Sequence, residues 1–390
     1  MQKSNLKLLL TKILKIVAII TYQTICLLIP VKLNRVVFVT PRHDVLKDNL
    51  YYLYEEMRKT KPELEYIVLT QRIYNGKIAP LNFIRHMSKV YYYLATSRLF
   101  IIDDYYLPLY LIKVRKKTEV IQLWHASGPL KKVGLSLIGL PGGPSKEYLR
   151  TVPVHSNYDK VIVNADIEID IYAQAFGMPK EHIEVLGSPR TDVLFRNVQD
   201  TTKKDNFIKE HPEFINKELI LYAPTYRGKS NDSNHYIPRF DMEKLVTLLL
   251  DKNKVLLVNL HPYMIENEDL IASTDKKAVF WNRKEYTIED LLMISDALIS
   301  DYSSVIYDFA ILEKPIALYC FDYEEYDILR GFYIDFKELL PTSFFLEEED
   351  LVNWIVSAEK NINEVIEMKV KNFKYHDGQS SRRIIHSLFN

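Results

Sequence analysis

Short apolar runs rich in Val and Ile alternate along the chain with stretches whose apolar residues recur at helical spacing. RVVFVT (35–40), EYIVLT (65–70), LFIIDD (99–104), EVIQLWH (119–125), KVIVNA (160–165) and HIEVLG (182–187) predict buried strands. Helical patterns such as NLYYLYEEMRK and IEIDIYAQAFG lie between them. A polar, charged stretch over 197–217 reads as a linker. The alternation then restarts with LILYAPT, the helix DMEKLVTLLL, KVLLVNLH, AVFWNR, the helix IEDLLMIS, ALISD, the helix SSVIYDFAILE and PIALYC. Unbroken apolar strands alternating with helices imply parallel sheets covered on both faces. The expected fold is α/β, with two doubly wound, Rossmann-like domains over 35–200 and 201–345 facing a cleft. Helices over 346–390 pack back, and a separate segment covers 1–34. Such sheets bind ligands beyond the carboxyl ends of their strands, which directs attention to the strand tips.

The first 35 residues carry Lys3, Lys7, Lys12, Lys15, Lys32 and Arg35 and no acid. The 16 uncharged residues between Lys15 and Lys32 are interrupted by Thr21, Gln23 and Thr24. A membrane span needs roughly 20 apolar residues, so a helix lying at an anionic leaflet fits better. A single span, a re-entrant anchor and a buried core helix are the competing readings. A second stretch sets Tyr91–Tyr93, Tyr105, Tyr106, Leu107 and Leu109 beside Lys113, Arg115, Lys116 and Lys117. Aromatic side chains next to cations suit a headgroup interface. An ordinary amphipathic helix followed by a solvated loop reads the same way.

Charge narrows the function classes. Lys+Arg and Asp+Glu are both 51, so the basic excess of a nucleic-acid binder is missing. The two cysteines, Cys26 and Cys320, form no CxxC or Cys/His spacing, which argues against a zinc site or a disulfide scaffold.

Polar residues gather where the strands end. EVIQLWH closes on Trp124-His125 before the small residues Ala126, Ser127, Gly128 and Pro129. A histidine there suits a general base, and it equally suits a surface loop. Arg190 follows the Gly187-Ser188-Pro189 turn and opens a helix, which makes an anion site unless it pairs with Asp192 or Glu184. LILYAPTYRG ends in Pro224, Thr225 and Arg227, a hydroxyl and a guanidinium suited to phosphate. KVLLVNLHPYM places His261 in the second half where His125 stands in the first, so the pair is expected to face one cleft. In ALISDYSSVIYDFA the strand ends at Asp301, Ser303 and Ser304 open a helix, and Asp308 lies one turn on. Two hydroxyls with orphan N–H groups form a phosphate cradle, or a plain N-cap. P-loop, GxGxxG and GxSxG motifs are missing, which disfavours NTPase, dehydrogenase and α/β-hydrolase chemistry.

In order, WHASGPLKKVG, GSPRTDVLF, YAPTYRG, NLHPYM and SDYSSVIYDFAILEKPI resemble the CDP-glycerol glycerophosphotransferase family of teichoic acid synthesis. The resemblance implies a two-domain GT-B-type fold and peripheral attachment to the cytoplasmic face of the cell membrane, with no metal or cofactor. It implies transfer of glycerol phosphate from CDP-glycerol to a hydroxyl on an undecaprenyl-linked acceptor, with release of CMP. It places the base on His125, assisted by His261. Ala126 to Pro129, Arg190, Pro224, Thr225, Pro262, Tyr263, Ser303, Ser304 and Asp308 line the donor. The chain reads WHASGPLKK where glycerol-phosphate members commonly read WHGTPLK, which makes CDP-ribitol the alternative donor. A GT-B sugar transferase and a non-catalytic polymer-binding protein are the remaining alternatives.

Overall fold

The computed structural model describes residues 2–70, 80–141, 143–227, 234–235, 239–261, 264–265 and 267–390. It divides into two compact units. The first holds Met1–His125, Lys132–Asp192 and Gln379–Asn390; the second holds Ala126–Lys131 and Val193–Gly378. The chain therefore passes from one unit to the other four times, the first time at the His125–Ala126 peptide bond.

The first unit is built on a six-stranded parallel sheet of β1 (Lys32–Thr40), β2 (Glu65–Thr70), β3 (Ser97–Ile102), β4 (Glu119–Gln122), β5 (Lys160–Val163) and β6 (Ile183–Val185). Its order is β2-β1-β3-β4-β5-β6, so the winding reverses between β1 and β3. Val36, Phe38, Leu99, Ile101 and Ile121 bury one face against Leu50, Leu53 and Met57 of the helix Asp48–Thr60 and against Ile384, Ile385 and Leu388 of the C-terminal helix Ser380–Phe389.

The second unit repeats the scheme. Its sheet contains β7 (Glu218–Ala223), β9 (Lys254–Val258), β11 (Val279–Trp281), β12 (Ala297–Ser300), β13 (Ile316–Tyr319) and β14 (Phe344–Phe345), ordered β11-β9-β7-β12-β13-β14. A separate parallel pair joins β8 (Asn234–His235) and β10 (Met264–Ile265). Along β7, Leu219 and Leu221 face one core and Ile220 and Tyr222 the other, as expected of a strand buried on both sides.

Several sequence readings are corrected. The polar stretch 197–217 is no linker: it carries the helix Thr202–Glu210, and Phe207 and Phe214 are buried in the core of the second unit. Two aromatics seven residues apart outweigh the charges between them. Of the segment 346–390, only Gln379–Asn390 joins the first unit. In the Tyr105–Lys117 stretch Tyr106, Leu109 and Tyr110 are core residues and cannot offer aromatic side chains to a headgroup interface, while Lys113, Lys116 and Lys117 are exposed. Arg115 there donates to the carbonyls of Ile29 and Ala95 (3.0 and 2.9 Å).

Residues 2–28 form one helix, α1 (Gln2–Leu28), and its Leu8–Leu28 portion is long and apolar enough to cross a bilayer. It packs on the helices Pro80–Thr96 and Lys146–Thr151. Ala18 and Tyr22 are buried, Lys15 Nζ donates to the Thr151 carbonyl (2.7 Å), and the Tyr22 hydroxyl accepts from the Arg115 N–H (3.1 Å). Leu9, Leu10, Ile13, Ile16, Val17, Ile20, Leu27 and Leu28 are at least 50% exposed.

Candidate active site

β4 ends at Gln122, three residues short of His125. The turn is made by Trp124, whose φ of 54° lies in the left-handed region, a costly place for a bulky side chain. Its N–H donates to Gln122 Oε1 (2.8 Å), and its carbonyl accepts from Asn49 Nδ2 (3.0 Å). The indole packs against His155, Tyr172 and Phe176 and stacks on His125 at 4.7 Å. These contacts hold the strained turn.

His125 is aimed by the neighbouring strand tip. Its Nδ1 lies 3.2 Å from the carbonyl oxygen of Asp103 and 3.9 Å from Asp104 Oδ1. An Nδ1–H tautomer satisfies the carbonyl and leaves Nε2 as the basic nitrogen. Burial, and after it the charge of Arg42, pushes His125 down to about 4 against the pull of Asp104. Arg42 Nε faces Asp104 Oδ2 (3.6 Å), and its Nη1 reaches Asp48 Oδ2 (3.3 Å). Burial alone would raise Asp48, but a hydrogen bond to His43 and the charges of Arg190 and Arg42 hold it well below the carboxylate range. Asp103 accepts from Thr40 Oγ1 (3.2 Å), and burial pushes it up to about 7. Thr40 ends β1 and Asp103 is the first residue past β3, at the point where the sheet winding reverses.

Arg190 sits in a 3-10 turn, Pro189–Thr191, that runs directly into the short helix Asp192–Arg196, so it does lie in the opening turn the sequence predicted. Its N–H donates to Asn49 Oδ1 (3.1 Å), so the fully buried Asn49 ties the Arg190 turn to the Trp124 turn. Asn49→Ala leaves one N–H and one carbonyl without their partner. We expect a loss of about 1–3 kcal/mol in denaturant unfolding, together with slower turnover. Unchanged stability and unchanged rate would remove the positioning role.

In the second unit, β9, β7 and β12 are adjacent, and their tips carry His261, Pro224-Thr225 and Asp301 to Ser304. The Thr225 N–H donates to Asp301 Oδ1 (2.8 Å), and His261 stacks with Tyr226 at 5.8 Å. Ser303 and Ser304 are partly exposed. Ser304 makes no side-chain cap, and Ser303 Oγ accepts only a long bond from the Val305 N–H (3.4 Å), so capping is weak. The following helix, Val305–Ala310, is only six residues long, and the N–H groups of Val305, Ile306 and Tyr307 already donate to Ser303 and Ser304, so the two hydroxyls rather than orphan N–H groups are what the turn offers a phosphate.

Other expected donor contacts differ. Asp308 and Ser127 are buried, and Gly128 and Pro129 with them; of that loop Ala126 alone is partly exposed. A Cβ at Gly128 would stand 2.5 Å from the Tyr307 ring, and Leu130 enters the core of the second unit. The loop therefore supports the serine helix from behind. Arg227 is clamped by Asp301 (2.9 Å) and Asp322 (2.7 and 3.1 Å) and is no open phosphate ligand. Pro262 and Tyr263 lie outside the described residues.

The sequence reading missed Arg42, Asp48, Asn49, Asp103 and Asp104. The strand-tip rule that found His125 applies equally to TPRHD after β1 and to IIDD after β3.

Residues 21–390 match the family described as CDP-Glycerol:Poly(glycerophosphate) glycerophosphotransferase. The chain is 38% identical over 386 residues to the teichoic acid ribitol-phosphate primase of Bacillus spizizenii, covering 97% of each. It is 33% identical over 305 residues to the teichoic acid glycerol-phosphate primase of Bacillus subtilis, covering 78% of this chain and 77% of that one. The wall teichoic acid polymerase TagF superposes with a TM-score of 0.75 at 24% identity, covering 100% of this chain and 98% of TagF, and shares its GT-B-type fold. The chain belongs to the CDP-glycerol:poly(glycerophosphate) glycerophosphotransferase family and is a CDP-alditol phosphotransferase of teichoic acid biosynthesis.

Proposed function

We propose that an acceptor hydroxyl attacks the β-phosphorus of the CDP-alditol while His125 Nε2 takes its proton. A phosphodiester forms, and CMP leaves with the electrons of the broken P–O bond. The observation that carries this is the clamp on His125: a carbonyl holds Nδ1, and burial with Arg42 keeps the ring neutral, as a base requires. Ser303 and Ser304 take phosphate oxygens. Arg190, Pro224, Thr225, His261, Pro262 and Tyr263 complete the donor surroundings, with His261 countering charge on the phosphates. Positioning and electrostatics do most of the work in such transfers.

The donor we assign is CDP-ribitol. Support comes from the ribitol-phosphate primase, matched at 38% identity along almost its whole length. CDP-glycerol is the second reading, favoured by the family description and by the glycerol-phosphate primase. The test supplies the purified chain with a lipid-linked acceptor and CDP-ribitol, CDP-glycerol or a UDP-sugar in turn. Fastest CMP release from CDP-ribitol supports the assignment, and faster release from CDP-glycerol reverses it. Product from the UDP-sugar alone would overturn alditol phosphate transfer.

The acceptor in this reading is undecaprenyl-linked, and the chain works on the cytoplasmic face of the membrane. A helix tied to the folded unit through Lys15, Ala18 and Tyr22 is suited to lie on a bilayer rather than pass through it. Ile13, Val17 and Ile20 share its exposed stripe. Replacing all three with aspartate is expected to move the protein from phosphatidylglycerol vesicles to the supernatant on sedimentation. Undiminished vesicle binding would discard α1 as the attachment.

A further inference from the structure

Arg227 and Lys131 stand close together in the second unit in opposite electrostatic situations. The Arg227 guanidinium is saturated: two carboxylates and the Thr225 carbonyl (2.8 Å) accept from it, and the rings of Tyr302, Tyr326 and Phe321 surround it. The Lys131 ammonium is mostly removed from water. Its partner among the described residues is the Tyr326 hydroxyl, at a long 3.5 Å, and no carboxylate there lies within 4.0 Å of it. The acid whose charge acts on it, Asp301, already serves Arg227 and the Thr225 N–H. A half-buried cation without a counter-ion is costly, and an incoming anion relieves that cost.

The backbone holds this ammonium in place. Lys131 pairs antiparallel with Phe332, and the Tyr333 N–H donates to the Leu130 carbonyl (3.1 Å). Three residues earlier, Gly128 rests on Tyr307 in the helix that Ser303 and Ser304 open. Asp301, whose field reaches Lys131, is two residues before Ser303.

We infer that Lys131 is a ligand of the donor's diphosphate and supplies the cationic contact that the sequence suggested for Arg227. This rests on the assignment of Ser303 and Ser304 to the donor phosphates. The groups facing Lys131 are Asp301 at the β12 tip, Arg227 after β7, and Tyr326 and Arg330 on the helix Tyr323–Arg330. Burial first, then Arg330 and Arg227, push the ammonium down to about 8, against Asp301. Donor affinity should therefore fall as the pH rises through that value. Arginine stays protonated across the range.

The test is calorimetric titration of the full chain with CDP-ribitol and CDP-glycerol between pH 7 and 9.5. At pH 7, Lys131→Met is expected to weaken the better donor by about 10–100-fold, the usual worth of a charge-assisted hydrogen bond. The wild-type Kd should rise over this pH range, while that of Lys131→Arg stays level. The Arg variant also guards against a folding artefact in the Met variant. A Met variant that binds within twofold of wild type overturns the inference, as does an equal alkaline loss in the Arg variant. A Ser303→Ala/Ser304→Ala variant at full affinity overturns the underlying donor assignment instead, and a wild-type chain that binds neither donor overturns both.

Discussion

His125→Ala is expected to leave a folded protein whose CMP release falls by about 10²–10⁴-fold, the usual worth of a general base. The side chain is about 30% exposed and its ring rests on Trp124, whose own turn is fixed independently by Gln122 and Asn49. Removing the imidazole thus takes away Nε2 without unmaking the turn. The pH dependence carries a second signature. The base works when deprotonated, and the ring is held down to about 4, so activity should stay level on the acid side until the pH falls toward that value. Arg42 lowers the imidazole and Asp104 raises it. Arg42→Gln should therefore move the acid limb up in pH, and Asp104→Asn should move it down. A His125→Ala enzyme with the wild-type rate, or two variants shifting the limb the same way, would end the base assignment.

The second large effect concerns stability. Arg227→Met leaves Asp301 and Asp322 facing each other without their shared counter-charge. Asp301 is 5% exposed and Asp322 19%. Breaking a buried ion pair by removing one partner costs about 3–5 kcal/mol, because the abandoned charge stays desolvated. Chemical denaturation should show that loss as a lowered midpoint. Arg227→Lys should recover only part of it, since one ammonium cannot present the planar fork that spans two carboxylates. Tyr302 would suffer as well, since its hydroxyl donates to Asp322 (3.0 Å) beside the serine pair. A Met variant as stable as wild type would return Arg227 to the list of open phosphate ligands.

Most strands were legible because buried parallel strands leave a continuous apolar trace, and the strand-tip rule then located His125, His261 and the serine pair. Partnership was less legible. Nothing in LILYAPTYRG tells that Arg227 meets two acids, one 74 residues away and the other 95. Nothing in WHASGPLKK tells that Lys131 meets no acid within 4.0 Å among the described residues. Local pattern also misled where few apolar residues carry the burial, as with Phe207 and Phe214 in a charged stretch. At Tyr106 and Tyr110 the aromatic character was visible, but which neighbours would cover it was not.

The last passage of the chain has a consequence for synthesis. Buried Asp192 accepts from the backbone N–H groups of Ser380 and Ser381 (2.7 and 2.9 Å) and from the Ser381 hydroxyl (2.8 Å), and the helix they open closes one face of the first sheet. A ribosome moving at about 5–20 residues per second needs on the order of ten to forty seconds to travel from Asp192 to that helix. Through that interval the half made first waits with one apolar sheet face covered only by the helix Asp48–Thr60 and with Asp192 lacking its Ser380 and Ser381 donors, so a nascent chain stalled anywhere in the second half is a natural client for chaperones.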